Sequence, residues 1–238
     1  MGNVKTYITY FNDNQIEEYH LKEDDNTTLF KGNDISYSGE SINHLNTFYC
    51  ELCTMYYIWK NNLKSDYVVL KQYRRPFNWQ EIGRLPQEGE VICFKPIVLM
   101  YPIALQYAVC HGRKRGRDLL NIFKNHNDLY RYFTSDNVLY TNNSMVLTWH
   151  DFCQMCEFVF KILDDIDKHY HLNYTYNKYL TNARDFTEDG RYDYQTHWMS
   201  YIGERIVSCY IHTKLKPLCI ERLKGNGFFS PYQPKLPK

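Results

Sequence analysis

From Val4 to Phe11 β-branched and aromatic side chains run with few breakers, which predicts a strand. Residues 12–46 then turn polar and rich in Asn, Asp and Ser, so a long loop region able to carry function is expected. The period changes after it: Leu52, Met55, Tyr56, Trp59 and Leu63 fall on one stripe of a helix running from about Tyr49 to Leu63. Asp66–Leu70 is a short apolar run suited to a buried strand, and Glu90–Phe94, between Gly89 and Pro96, is another candidate. Helical spacing returns over about 101–110 and 117–131. Val138–Leu147 predicts a further strand, interrupted by Asn142 and Asn143. Thr148-Trp-His-Asp151 is a capping-box start for a long helix that aligns Phe152, Cys156, Val159 and Leu163. A last helix spans about Trp198 to Leu215, with Met199, Ile202, Ile206 and Cys209 as its buried stripe and Glu204 at the edge of the apolar arc. Pro and Gly punctuate the chain from Lys224 on, so residues 1–223 are expected to form one domain and 224–238 an irregular tail.

Strand–loop–helix–strand near the start, followed by helices and another strand, points to an α/β fold with a mostly parallel sheet flanked by helices. Ligands of such sheets sit beyond the carboxyl ends of the strands. Three loci qualify: the loop after Phe11, the segment after Leu70, and the Asn142–Asn143 pair. The chain has neither G-x-G-x-x-G nor a P-loop, so a bound nucleotide must be neutralised by side chains. Gln72-Tyr-Arg-Arg-Pro-Phe77 offers that chemistry, because two guanidiniums just past a buried strand can fork a diphosphate. Pairing of Arg74 and Arg75 with surface carboxylates is the alternative.

Composition narrows the classes. The 238 residues carry 28 Lys and Arg against 27 Asp and Glu, a net charge of +1, which argues against a nucleic-acid partner. A content of 44% hydrophobic and 23% charged residues excludes a disordered chain. No apolar run reaches the roughly 18 residues of a spanning helix, and the N-terminus lacks a signal-peptide core, so a cytoplasmic location is expected. The eight cysteines should then be free thiols. Cys50–Cys53 and Cys153–Cys156 have the spacing of zinc or redox pairs, but both lie in helical patterns and also suit small core hydrophobes. Gly112-Arg-Lys-Arg-Gly-Arg117 could meet phosphates of RNA, a nucleotide or an anionic lipid, or simply form a solvated face. Met1–Thr6 fits the loose myristoylation pattern, which keeps peripheral membrane association open. The 23 tyrosines suit polar-ligand surfaces as well as cores.

Several segments together resemble a known family. Phe48-Tyr-Cys-Glu-Leu-Cys-Thr-Met-Tyr-Tyr-Ile-Trp-Lys-Asn61 is similar to its pattern of Tyr-Cys-Glu-Leu-Thr, an aromatic helix, then Trp-Lys-Asn. Asp66–Phe77 resembles its strand ending in His-Tyr-Arg-Arg, Asn143-Ser-Met-Val-Leu147 its Asn-Met-Phe-Ile-Met, and Tyr201-Ile-Gly-Glu-Arg-Ile-Val207 its Phe-Leu-Ala-Glu-Arg-Leu-Leu. Gly39-Glu-Ser-Ile42 with Asn46 is similar to its Gly-Asp-Asn-Ile and following Asn, and Gln106-Tyr107 with His111 to its Gln-Tyr and His. This is the family of capsular-polysaccharide-type glycosyltransferases long filed as a domain of unknown function, with members in bacteria and large viruses. The resemblance is collinear over roughly residues 4–215.

The resemblance implies a GT-A-like, Rossmann-like transferase. It would move a sugar, galactofuranose in the family's characterised branch, from a UDP donor with inversion to a glycan or glycolipid acceptor of a surface polysaccharide. Where ordinary GT-A enzymes hold a metal on Asp-x-Asp, this chain has Gln72-Tyr-Arg-Arg75, so no cofactor or metal is expected and Arg74 and Arg75 would stabilise the departing UDP. Glu204 is the first candidate for the base that takes the acceptor proton. Glu51 competes with it or caps its helix or holds the ribose, and His111 is the third candidate. Tyr49, Tyr73, Asn143 and Arg205 are implied substrate contacts. The chain departs from the pattern at Gln72 for His, at Phe11-Asn12 for His-Lys, at Ser200 for Gly, and in a shorter segment after Phe77. Two rivals remain: a non-catalytic carbohydrate or nucleotide binder of the same fold, and a zinc- or RNA-binding module.

Overall fold

β-branched and aromatic residues form the first strand where the pattern places it, β1 (Val4–Tyr10), and the computed structural model describes residues 2–187 and 195–221. The tail expected over 224–238 lies outside the described residues. After β1 come α1 (Asn14–Glu18), β2 (Thr27–Lys31), α2 (Asn46–Tyr49), α3 (Leu52–Lys60), β3 (Tyr67–Gln72), β4 (Glu90–Phe94) and β5 (Ile97–Val98). Then follow α4 (Ile103–His111), α5 (Arg113–Phe123), α6 (Asn127–Ser135), β6 (Val138–Leu139), β7 (Met145–Thr148), α7 (Trp149–His169), α8 (Tyr176–Asp185), α9 (Trp198–Lys214) and β8 (Lys216–Ile220).

Six strands form one sheet in the order β2-β1-β3-β7-β4-β8. β1 runs parallel to β2 and β3, and β4 runs parallel to β8, while β7 is antiparallel to both of its neighbours. The expected α/β architecture with a mostly parallel sheet is therefore present. Because β7 is reversed, its first residues lie at the edge where β1, β3 and β4 end. Leu70 of β3 and Cys93 of β4 both pair with Met145.

The larger hydrophobic cluster joins Tyr7, Val68, Leu70, Val91, Met145 and Leu147 of the sheet to buried residues of α3, α7 and α9. Each large side chain fully buried there contributes roughly 1.5–3 kcal/mol. The other face is smaller: Val69, Ile92, Phe94, Val146 and Ile220 are covered by Phe77, with Trp79, Ile82 and Leu85 beside it. Thr148 caps α7 as expected, its Oγ1 accepting from Asp151 N at 3.1 Å, while the Asp151 carboxylate accepts from the Thr148 hydroxyl and from Gly89 N instead of closing the reciprocal bond of a capping box. Phe152, Cys156, Val159 and Leu163 line the buried face of α7.

Several expectations are corrected. The polar stretch 12–46 contains β2, a sheet-edge strand whose one fully buried side chain is Phe30, so its alternation is weak. β8, with Pro217 inside it, is a second edge strand that the pattern misses. The helix expected from Tyr49 to Leu63 is two helices, broken at Cys50 (φ 47°, ψ −124°). The helical stretch 117–131 is divided between α5 and α6. The strand expected over Val138–Leu147 is likewise divided: β6 pairs with β5 in a separate two-stranded sheet, and β7 joins the main one. The basic run opens α5, and Arg115 is buried rather than solvated. Its guanidinium donates to Asn182 Oδ1 at 2.8 Å and stacks 4.0 Å from the Trp198 ring.

α9 approaches α3 so closely that a Cβ on Gly203 would stand 2.3 Å from Leu52 Cδ1, and Leu52 is itself fully buried. Alanine gains about 1 kcal/mol of helix propensity over glycine, while overpacking a core costs typically 1–3 kcal/mol. Gly203→Ala should therefore lower stability by about 1 kcal/mol, read as a lower urea midpoint at unchanged m-value. A raised midpoint would show that Leu52 moves aside.

Candidate functional site

The carboxyl end of β3 turns sharply. Tyr73 N donates to Thr9 O at 3.2 Å, which holds the turn against the end of β1. Arg75 Nε then donates to Gln72 Oε1 at 3.1 Å, so the buried Gln72 carboxamide positions that guanidinium. Arg74 is exposed and lies 5.9 Å from the Tyr73 ring centroid. Among the described residues Arg74 has no carboxylate within ion-pair distance, so pairing with a surface acid does not account for it. Tyr73 stands edge-on to Phe11 at 6.2 Å and Tyr19 at 5.0 Å, giving an aromatic wall over the end of β1.

Glu51 reaches the same edge through a strained residue. A positive φ at a non-glycine such as Cys50 costs of order 1–3 kcal/mol and persists only where the surroundings impose it. The break ends α2 and puts Glu51 at the N-cap of α3, partly buried. Burial raises the Glu51 pKa above its ordinary value, and the Glu204 charge raises it further, against the lowering influence of its own backbone, Arg74 and Arg75. These four side chains share one electrostatic neighbourhood.

Glu204, on α9, is fixed from the sheet side: its Oε1 accepts from Asn142 N at 2.7 Å. Asn142 (φ 82°) and Asn143 (φ 47°) take left-handed conformations, which asparagine tolerates better than other non-glycine residues. Both are buried, yet Asn142 Nδ2 and Asn143 Oδ1 have no hydrogen-bond partner among the described residues. A buried polar atom without a partner costs about 1–3 kcal/mol. Two of them beside two carboxylates and two guanidiniums leave a locus with unused capacity to bind a polar, charged ligand.

Cys50 lies beside this cluster but is no activated nucleophile. His197 Nδ1 is 3.5 Å from Cys50 Sγ and 2.6 Å from Thr47 O. A carbonyl can only accept, so Nδ1 carries a proton and cannot take one from the thiol. Burial also pushes the Cys50 pKa up to about 12. Cys53 and Cys156 are buried thiols raised in the same way, and Cys53 donates to Ile42 O. Such thiols behave as small core hydrophobes rather than as zinc-holding thiolates. Among the described residues no three His, Cys, Asp or Glu side chains are grouped to hold a metal ion.

Arg74, Arg75, Tyr73, Glu51, Glu204 and Asn143 thus meet at one edge of the sheet, and three other expected residues do not join them. Tyr49 is fully buried, its hydroxyl 2.8 Å from that of Tyr179, which donates to Asp167. Arg205 is buried and donates to Tyr201 O at 2.6 Å and Gln106 Oε1 at 2.7 Å. His111 is buried between the rings of Tyr107 at 4.7 Å and Tyr201 at 4.4 Å. Arg205, itself 5.1 Å from the Tyr107 ring, completes a stack that locks α9 against α4 and sets the rotation at which Glu204 is presented. Sequence reasoning missed the Cys50 break, whereas the Asn142–Asn143 pair, a dipeptide prone to left-handed turns, is among its three strand-end loci.

The family described as a domain of unknown function (DUF4422) matches residues 8–215. No curated protein shows significant similarity to the chain. Among solved structures, the apo structure of the WbbM bifunctional glycosyltransferase is similar over 96% of this chain, with TM-score 0.66 and 18% identity. The chain spans 48% of that protein chain, about half its length, and at this identity the likeness establishes a shared α/β fold. The family match runs from within β1 through the arginine turn and the asparagine pair to the end of α9, so every part of the site falls inside it: the chain belongs to the DUF4422 family.

Proposed function

We propose that the chain is a glycosyltransferase moving a sugar from a UDP-sugar to a glycan or glycolipid hydroxyl, with inversion and without a metal ion. One observation carries this reading: at the strand ends, among the described residues, Arg74 has no carboxylate partner and two buried asparagine atoms have no partner at all, and Glu51 and Glu204 stand beside them. The fold shared with a bifunctional glycosyltransferase supports the same class. UDP-galactofuranose is the donor that the family resemblance favours, and assembly of a surface polysaccharide the corresponding role. No helix among the described residues is long and apolar enough to cross a membrane, so a lipid-linked acceptor would be met from the membrane surface.

In this mechanism Arg74 and Arg75 fork the diphosphate and stabilise the charge that grows on departing UDP. The family resemblance sets them in the place where ordinary GT-A enzymes carry Asp-x-Asp, and their two positive charges would supply what a divalent ion brings. Tyr73, with Phe11 and Tyr19 edge-on to it, offers an aromatic surface to the donor. Asn142 Nδ2 and Asn143 Oδ1 supply a donor and an acceptor for sugar hydroxyls. The acceptor oxygen attacks the anomeric carbon opposite UDP, its bond forms as the bond to the β-phosphate oxygen breaks, and the hydroxyl proton passes to Glu204. Glu51 keeps a second negative charge beside Glu204 and the arginines.

UDP release across a panel of UDP-sugars, UDP-galactofuranose included, is the direct assay. Turnover should persist in EDTA; a rate that EDTA abolishes and manganese restores would overturn metal independence. Glu204→Gln should lower kcat by about 10²–10⁴ with UDP affinity nearly unchanged, and unchanged turnover removes Glu204 as the base. Binding of UDP without turnover on any donor would favour a non-catalytic binder of the same fold.

Glu51 gives an independent stability readout. Its pKa is raised in the folded chain, so the folded state holds the proton more tightly than the unfolded one, and stability falls as pH rises from the unfolded pKa through the folded one. The penalty is complete above that window. Glu51→Gln should therefore raise Tm at neutral pH, lose that advantage in acid, and reduce turnover. A lowered Tm at neutral pH would mean that Glu51 stabilises the fold instead.

A further inference from the structure

The second face of the sheet is covered unevenly. Residues paired in register share a face, which places Thr27, Thr6 and Val69 together, and likewise Leu29, Ile8 and Lys71. Val69 is sealed under Phe77. Ile8 on this face is covered, but Thr6, Thr27 and Lys71 are only partly buried, and the helix that connects β1 to β2, α1, buries none of its residues. A groove of about 540 Å³ lies there, within the roughly 300–1,000 Å³ of ligand pockets. Thr6, Thr27 and Lys71 belong to its floor, with Trp79 on one side and Lys22 and Asn26 on the other.

Its charge is one-sided. Both ionisable residues of the lining are lysines. Lys71 is partly buried, has no ion pair or hydrogen bond among the described residues, and burial alone holds its pKa below the ordinary value. An ammonium already stripped of part of its water by folding meets an incoming anion in a medium of reduced dielectric, where the attraction is stronger than at an open surface. Trp79 packs against the second-face cluster and lines the groove as well, so its ring is held in place. A fixed indole beside hydroxyl and amide groups suits a ligand with one apolar C–H face and a rim of hydroxyls.

We propose that this groove binds an acidic saccharide, its carboxylate or phosphate on Lys71 and Lys22 and its C–H face on Trp79. None of the groove's lining residues belongs to the Arg74–Glu204 cluster, so the proposal stands or falls separately from the transferase reading.

The test is calorimetric titration of the full chain with tetragalacturonate, galactose 6-phosphate, neutral maltotetraose and inorganic phosphate. Saturable binding is expected for one of the acidic sugars and identifies the anion; it should weaken with added salt and be unaffected by saturating UDP. Lys71→Met, which keeps an apolar stem and removes a half-buried charge, should fold with unchanged or higher Tm and bind at least tenfold more weakly. Trp79→Ala should lose a similar factor and Trp79→Phe less. The proposal is overturned if neither acidic sugar saturates, if maltotetraose binds equally well, if UDP competes, or if Lys71→Met binds like the parent. Inorganic phosphate binding as tightly as the sugars, with no effect of Trp79→Ala, would also overturn it by leaving only an anion site.

Discussion

The reversed strand β7 is the constraint on which the rest depends. Inserted between β3 and β4 and antiparallel to both, it starts where they end. The chain entering it must turn within a few residues, and left-handed Asn142 and Asn143 make that turn. Their backbone then serves α9 as well, because Asn142 N holds the Glu204 carboxylate. One turn therefore fixes the middle of the sheet, the edge where β1 and β3 release their loops, and the placement of an acid from the last helix. Parallel strands alone would gather the Phe11 and Arg74 loops at that edge but would not bring the asparagines to it.

Three arginines of the chain differ in how their guanidiniums are satisfied. Arg115 and Arg205 are buried, and each is met by amide or carbonyl oxygens and by aromatic faces, so a guanidinium can be enclosed without a carboxylate. Both serve helix packing: Arg115 joins α5 to α8 and α9, and Arg205 joins α9 to α4. Arg74 is the contrast, since it touches one aromatic ring and otherwise faces outward next to Glu51 and Glu204. A structural role would have brought it the acceptors that the other two have.

The difference in fate explains what the sequence could and could not tell. β1 and β3 were legible as runs of β-branched, aromatic or apolar residues, α7 and α9 as apolar stripes of helical period, and α7 also announces its start with a threonine cap. β2 and β8 were not, since an edge strand buries little and its alternation fades, and Pro217 argues against a strand unless its neighbours are known. The arginine turn and the asparagine pair could be assigned to one edge because strand ends converge in any α/β sheet, whereas Glu51 and Glu204, carried by helices, were candidates only through the family resemblance. Tyr49, Arg205 and His111 could not be told from them: a polar side chain near a site and one satisfied inside the core look alike until the partners Tyr179, Gln106 and Tyr201 are in place. The Cys50 break was invisible for a similar reason, because its left-handed backbone is imposed by tertiary packing and opposes the local helical pattern.

Local rules are otherwise kept along the chain, and where they fail the failures gather. A cysteine with positive φ, a carboxylate whose proton affinity is raised by burial, and two buried asparagine atoms and an arginine that find no partner or acid among the described residues all lie around the same strand ends. The positive φ and each unpaired asparagine atom cost on the order of a kilocalorie per mole or more, a large part of a marginal folding free energy. Scattered through a domain they would read as imperfections. Concentrated at one edge, with α3 and α9 pressed together at Leu52 and Gly203 immediately behind it, they describe a rigid support holding an incompletely satisfied polar surface. A ligand that brought acceptors for Arg74 and partners for Asn142 and Asn143 would complete that surface without disturbing the packing behind it.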